Sequence, residues 1–517
     1  MMAYTRILFA ASAVVCASFA AAAAVPCGNL TSLSLPHTSV TSAVQVAASG
    51  GVPTYCLVEA HARPTSDSDV KILVGLPTAS NWNGKYLQSG NGGFAGSVAP
   101  PTGSVQLGYA GAATDDGHTA SGFDASWALN HPEKVVDFGY RALKETTNTA
   151  KAIIAAYYGA SPRLSYFSGC SDGGREALQE AQRFASDWDG IIVGAPANFW
   201  THHFTGFVFN QQVLANTPIP PAKLPAIQAA ALAQCDGSDG VVDGVVENPG
   251  SCRFDPGRML CAGADNNGCL TQAQVTAVRA IMNGPHDPRT GELIFPGYVF
   301  NAVNDPNFLG LGAWIFNGAP ALGLSTPVQF VFGDQFFSYM VFGNPSWNFA
   351  TLNFMTDVDL ADAKVAGILN STNPDLSRVE GRGAKMIMYH GWEDGAISPF
   401  NTINYYESVV ATEGRGHGDA ALRRTQDFFR LFMVPGMLHC GSGPGPNTFD
   451  SLGALETWVE RGRAPDRIVA TKYLNDDPTS TVVRTRPLCP FPQIAVYKGH
   501  GSTDAASSFE CRAADHD

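Results

Sequence analysis

Cys170 stands directly before Ser171 in Gly169-Cys170-Ser171-Asp172-Gly173, and Cys440 stands directly after His439 far along the chain. Gly-x-Ser-x-Gly is the pattern of a tight strand-to-helix turn that holds a serine hydroxyl in the open. A disulfide requires Cα atoms roughly 4.4–6.8 Å apart. If Cys170 and Cys440 are bonded, Ser171 and His439 become neighbours, and any fold of this chain must close two distant segments onto one point.

The cysteines are legible only once the compartment is known. Arg6 precedes an apolar run over residues 7–24 that ends in small residues, an Ala-x-Ala cleavage pattern before Val25. This reads as a secretory signal peptide over 1–24, and places the mature protein outside the cell or in the periplasm. Of the 11 cysteines, Cys16 leaves with that leader. Cys27, Cys56, Cys170, Cys235, Cys252, Cys261, Cys269, Cys440, Cys489 and Cys511 remain, an even set suited to disulfides in an oxidising compartment. Sequence does not assign the pairing. Joining sequence neighbours leaves Cys170 and Cys440 to each other.

A chain of 517 residues with 54 Gly, 33 Pro and only 15% charged residues is a loop-rich globular protein, not a coiled coil or a disordered chain. Its net charge of −13, without a basic run, argues against nucleic acid or an anionic membrane as partner. No later stretch of 18 apolar residues suggests a membrane span. No protein partner is implied.

Short apolar runs at 70–76, 190–194, 385–389 and 430–434 read as strands, 85–88 leads as a strand into the Gly-rich 90–96, 163–168 alternates weakly into the serine turn, and 174–185 has helical spacing. Strands and helices in alternation favour a parallel sheet covered on both faces. The stretch 197–383 differs, being rich in Gly, Pro, Asn and Phe. It is too long for a crossover and reads as an inserted lid, leaving 25–196 and 384–517 as one core domain.

A serine hydroxyl needs a base to take its proton, and the base needs an acid to orient it. Ser171 follows the run 163–168, Asp394 follows 385–389, and His439 follows 430–434. That is the Ser, Asp, His order of an α/β-hydrolase core, each residue placed after a strand. Glu393 is adjacent to Asp394 and reads as a surface loop charge. His118 and His390 read as structural hydrogen-bonding groups. The oxyanion donors expected are the amide of Asp172 and one from Gly92 or Gly93 in the early Gly-rich loop. Asp236, Asp239 and Asp243, with the carbonyls of Val241 and Val245, offer hard oxygen ligands in a Gly-rich loop that is not an EF-hand. A calcium site and a solvated acidic turn are both open on composition.

Together these residues resemble the tannase and feruloyl esterase family, which includes mono(2-hydroxyethyl) terephthalate hydrolase. Cys170-Ser171 and His439-Cys440 match the family's disulfide-linked Cys-Ser and His-Cys pairs. His390-Gly391-Trp392-Glu393-Asp394 matches its His-Gly-x-x-Asp acid motif, and the Asp-Gly repeats of 236–244 match its calcium loop. Trp82-Asn83-Gly84-Lys85, Asn91-Gly92-Gly93 and Asp116-Gly117-His118 also look like family segments. The resemblance implies a structural Ca²⁺ in the lid, the five-disulfide pairing above, and hydrolysis of small aromatic esters, feruloyl or galloyl. The aromatic-rich run 330–339 is expected to be mostly lid core, with part of the ring pocket drawn from it. The terephthalate branch carries an aromatic residue three after the acid, where this chain has Ile397, so that activity stands as an alternative. A serine peptidase on the same core is another. A non-catalytic calcium-binding module has no need of serine, acid and histidine in this order.

Overall fold

The computed structural model describes residues 24–252, 254–414 and 418–513; the leader reading therefore falls almost wholly outside the described residues. Nine strands form the main sheet: β1 (Thr38–Val46), β2 (Tyr55–Ala62), β3 (Val70–Pro77), β4 (Lys85–Ser89), β5 (Ala110–Thr114), β6 (Leu164–Cys170), β7 (Gly190–Gly194), β8 (Lys385–Gly391) and β9 (Phe429–Val434). Their spatial order is β1-β2-β3-β5-β4-β6-β7-β8-β9. From β5 to β9 every pairing is parallel. The pairings β1–β2, β2–β3 and β3–β5 are antiparallel, so the sheet is mixed rather than purely parallel. Short links join β1 to β2 and β2 to β3, too short for a crossover helix, and that enforces the antiparallel edge. Two small antiparallel pairs follow, β10 (Ile468–Tyr473) with β11 (Val482–Leu488) and β12 (Gln493–Tyr497) with β13 (Phe509–Ala513).

The parallel strands read as continuous apolar runs because both faces are buried. Phe167, Ile191, Val193, Met386, Met388 and Leu431 point to one face, where the helices Ala142–Tyr158, Asp172–Arg183 and Pro399–Glu413 pack. The alternate residues Tyr166, Ile192, Ile387, Phe432 and Val434 point to the other, against Leu455 and Trp458 of the helix Ser451–Arg461. Each such side chain contributes about 1.5–3 kcal/mol when fully buried. The fold is an α/β-hydrolase core.

Between β7 and β8 the described residues are helices and loops that add no strand to the main sheet. Their side chains, Phe204, Phe207, Trp314, Phe332, Phe336 and Phe337 among them, form an aromatic-rich core shared with Phe94, Trp127 and Phe138 from the chain before β6. That core meets the sheet at the carboxyl ends of β6 and β8, the end where ligands bind in open α/β sheets. Among the described residues no helix is long and apolar enough to cross a membrane.

The cysteines pair Cys27–Cys56, Cys170–Cys440, Cys235–Cys252, Cys261–Cys269 and Cys489–Cys511.

Candidate active site

β6 ends at Cys170 and the helix Asp172–Arg183 starts at once, leaving one residue to make the turn. Ser171 makes it at φ 68°, a left-handed conformation costly for a non-glycine residue. The turn closes because Gly169 and Gly173 lack side chains: a Cβ on Gly169 would lie 2.3 Å from the Gly173 carbonyl oxygen. The strain lifts the serine hydroxyl out of the sheet edge.

Asp394 and His439 arrive on the loops after β8 and β9. The His439 Nδ1 lies 2.7 Å from Asp394 Oδ2, and its Nε2 lies 2.9 Å from Ser171 Oγ. A carboxylate only accepts, so Nδ1 carries the proton and Nε2 is free to accept from the serine hydroxyl. Asp394 Oδ1 accepts the backbone N–H groups of Ala396 and Ile397, each at 2.8 Å. Burial alone would raise its carboxyl. The charge of His439 and hydrogen bonds from His390 and His439 outweigh that and hold it well below the usual range. Cys170 and Cys440 are bonded with Cα atoms 6.1 Å apart, fastening the serine turn to the histidine loop.

The neighbours sort as follows. His390 Nε2 faces both Asp394 Oδ2 and the Ile397 carbonyl at 3.1 Å, so it donates, and Thr402 Oγ1 donates to its Nδ1 at 2.7 Å. His390 thus fixes the acid. His118 is buried and hydrogen-bonds the Phe94 carbonyl at 2.8 Å, stacked on Trp127. Glu393 is not a surface charge. It is buried, and its two oxygens accept from Asn301 Nδ2 and the Ala302 amide of the inserted segment, each at 3.2 Å. A Gly-flanked polar loop reads as exposed until a distant segment covers it.

The backbone N–H groups of Asp172, Gly92 and Gly93 meet no protein acceptor among the described residues. Gly93 has φ +60°, and a Cβ there would lie 2.3 Å from the Gly122 carbonyl oxygen, whereas Gly92 has open space. Both glycines, Ser171 and His439 line a cavity of about 360 Å³ walled by Phe123, Phe308, Leu309, Trp314, Val328 and Phe332. A narrow slot opens beside it, between Ser171, Trp200, His203, Phe204, Phe207 and Ile397. Among the described residues no lysine or arginine lines either space. His203 sends Nε2 to the Ala396 carbonyl, and burial pushes it down to about 4, so it stays neutral.

Of the run 330–339, Phe332 reaches the cavity, while Phe336 and Phe337 are buried in the inserted core. Trp200, Phe204 and Phe207 were missed by sequence reasoning. Their i, i+4, i+7 spacing on the helix Trp200–Asn216 was the signal that could have found them.

The residues 236–245 curl on themselves. Asp236 accepts the amides of Asp243 and Gly244, and Asp239 accepts that of Val241. Arg486 and Arg484 hold Asp243 Oδ2 at 2.6 and 2.9 Å. Burial, then the charges of Asp243 and Asp236, push the Asp239 carboxyl up against its hydrogen bond from Val241. The loop therefore carries negative charge that its two arginines, both on Asp243, leave partly uncompensated. Asp236, Asp239 and Asp243 offer the hard oxygen donors calcium takes, but among the described residues their three carboxylates do not gather within 4.8 Å of one another.

The family model described as tannase and feruloyl esterase matches residues 56–512. An uncharacterized esterase of Xanthomonas campestris pv. campestris is 44% identical over 95% of this chain and 92% of its own. The mono(2-hydroxyethyl) terephthalate hydrolase of Piscinibacter sakaiensis is 32% identical over 91% of this chain and 87% of its own. The crystal structure of feruloyl esterase B from Aspergillus oryzae superposes with a TM-score of 0.83 at 26% identity, covering 94% of this chain and 99% of that one. The chain belongs to the tannase and feruloyl esterase family and is a carboxylic ester hydrolase.

Proposed function

We propose that this protein is an exported serine esterase that cleaves small esters of aromatic acids, feruloyl or galloyl. One observation carries the reading: the hydrogen-bonded chain Asp394–His439–Ser171 ends at the wall of an apolar, aromatic-lined cavity. Ser171 Oγ attacks the ester carbonyl while His439 Nε2 takes its proton. The carbonyl oxygen becomes an oxyanion facing the amides of Asp172 and Gly93, which have no other partner among the described residues. The C–O bond to the alcohol then breaks, His439 returns the proton to the leaving oxygen, and an aryl acyl group remains on Ser171. Water, deprotonated by His439, attacks that acyl-enzyme and releases the acid. Asp394 stays ionised throughout and steadies the imidazolium.

The inserted segment 197–383 acts as the lid that supplies the ring pocket. Phe332 and Trp314, parallel within 3°, form its wall. Among the described residues the lining holds no lysine or arginine, which disfavours an acyl group with a second, free carboxylate and sets the terephthalate alternative behind. Asp236, Asp239 and Asp243, with the carbonyls of Val241 and Val245, would hold a structural Ca²⁺. The ion would supply charge balance to the loop and no chemistry at Ser171.

The test is an acid-quenched reaction of protein recovered from culture medium with methyl ferulate and methyl gallate. The expected result is a chain beginning at Val25 with one aryl acyl adduct on the peptide containing Ser171. Turnover with the adduct on another residue would overturn the mechanism, and retention of residues 1–24 would overturn export.

A further inference from the structure

Behind the proposed oxyanion loop lies a group of acids that the reaction does not use. Asp116, Asp172 and Glu176 are fully buried, with carboxylate oxygens within 4.8 Å of one another. Among the described residues one cation lies in the group, Arg175, and it is taken up by Asp172 and two backbone carbonyls. Its Nε donates to Asp172 Oδ1 at 2.5 Å, and its other nitrogens donate to the carbonyls of Gly139 and Phe138. Among the described residues, Asp116 and Glu176 have no cation in contact, and Asp116 Oδ2 has no donor. Two carboxylates cannot both stay charged side by side in such a setting.

The same pair grips the loop. Glu176 Oε2 accepts the Asn91 amide at 2.8 Å, and Asp116 Oδ1 accepts Asn91 Nδ2 at 2.8 Å. The Asn91 carbonyl accepts from the Gly173 amide at 2.9 Å, two residues after the serine. The amide, the side-chain Nδ2 and the carbonyl of Asn91 are thereby tied down, and Gly92 and Gly93 follow it directly. The contact is close: a Cβ on Gly90 would lie 2.7 Å from Glu176 Oε2.

We propose that Asp116 and Glu176 share a single proton as a carboxyl–carboxylate pair, and that this pair is the positioning device that holds the 91–93 loop against the Ser171 turn. The inference rests on the oxyanion role proposed above. Burial first, then neighbouring carboxylate charge (Glu176 and Asp172 on Asp116, Asp172 on Glu176), raises both acids, with Arg175 opposing. A raised acid keeps its proton at lower pH and loses it as pH rises. The clamp is intact on the acid side, and loss of the shared proton puts two buried like charges face to face. They then push the loop away.

The experiment measures kcat and KM against pH with p-nitrophenyl acetate, which needs the oxyanion site but no aromatic pocket. Wild type, Asp116→Asn, Glu176→Leu and Ser171→Ala are compared. In wild type, kcat should fall about tenfold per pH unit beyond the pair's ionisation, with KM steady. Asp116→Asn carries a permanent N–H donor, so it should keep kcat within about threefold at neutral pH and lack the alkaline fall. Glu176→Leu should lose about a hundredfold in kcat at every pH, the effect of one misplaced oxyanion donor. An alkaline limb in Asp116→Asn identical to wild type, with Ser171→Ala inactive, overturns this proposal alone. A metal ion bound by wild type and lost in Asp116→Asn, read by elemental analysis, would put a cation where the proton is proposed and also overturn it. An equally active Ser171→Ala enzyme would remove the underlying reading as well.

Discussion

The two walls around Ser171 are built on opposite principles. On the sheet side, every polar atom of the Asp394–His390–His439 group is partnered, and a disulfide fastens the two loops that carry the serine and histidine. On the side of the inserted segment, Trp200, Phe204, Phe207, Trp314 and Phe332 present rings and almost no polar atoms. Directional hydrogen bonds fix atoms to a fraction of an ångström, which proton transfer requires. Ring packing is tolerant in direction and selects by shape and apolar area. Under the proposed function this is a division of labour, with reaction rate residing in the sheet ends and substrate choice in the insertion.

The largest expected effect tests the first half. Asp394→Asn keeps the shape of the side chain but lets His439 adopt the wrong tautomer. It should lower kcat about 10³–10⁴-fold on every ester alike, with little change in melting temperature. Loss confined to aromatic esters would break the comparison. A smaller effect tests the second half. Phe332→Ala should lower kcat/KM for methyl ferulate about 10–100-fold and leave p-nitrophenyl acetate within a few fold. An equal loss on both would place Phe332 in the machinery of reaction instead. The smallest expected effect on rate comes from chelation of the proposed calcium. The melting temperature should fall while kcat per folded molecule holds, since 236–245 lies outside both cavity linings. A chelated enzyme with unchanged melting temperature and no turnover would contradict the structural role.

The sequence disclosed this molecule unevenly, and the reasons are physical. β7, β8 and β9 were readable because burial on both faces leaves near-continuous apolar runs, and β6 by its weak alternation leading into the serine turn. β5 (AGAAT) was not, because Gly111 must lie against Ser104 and Pro101, and small residues carry no strand signature. The hairpin edge β1–β2 was likewise passed over, since β1 is half-exposed with weak alternation and β2 carries Glu59 and His61 among its buried positions. Ser171, Asp394 and His439 could be placed because each follows such a readable run, and their side chains meet in the structure. The cavity wall could be read only in part. Its rings come from the helices Trp200–Asn216 and Val328–Gln335 and from Trp314, and nothing local to each says they share a space. Glu393 failed for the same reason, since the partner that buries it, Asn301, belongs to another part of the chain. The pairing of Asp116 with Glu176 is still less visible, being a property of two loops and a helix brought together.

The most direct measurement of the central claim is a panel assay of purified protein beside Ser171→Ala. The panel contains methyl gallate, methyl ferulate, mono(2-hydroxyethyl) terephthalate, p-nitrophenyl acetate and a peptide amide. The account predicts turnover of methyl ferulate or methyl gallate above the terephthalate ester and the amide, and a loss of about 10⁴-fold or more in Ser171→Ala. Equal activity of the two proteins, or preference for the amide, would contradict it.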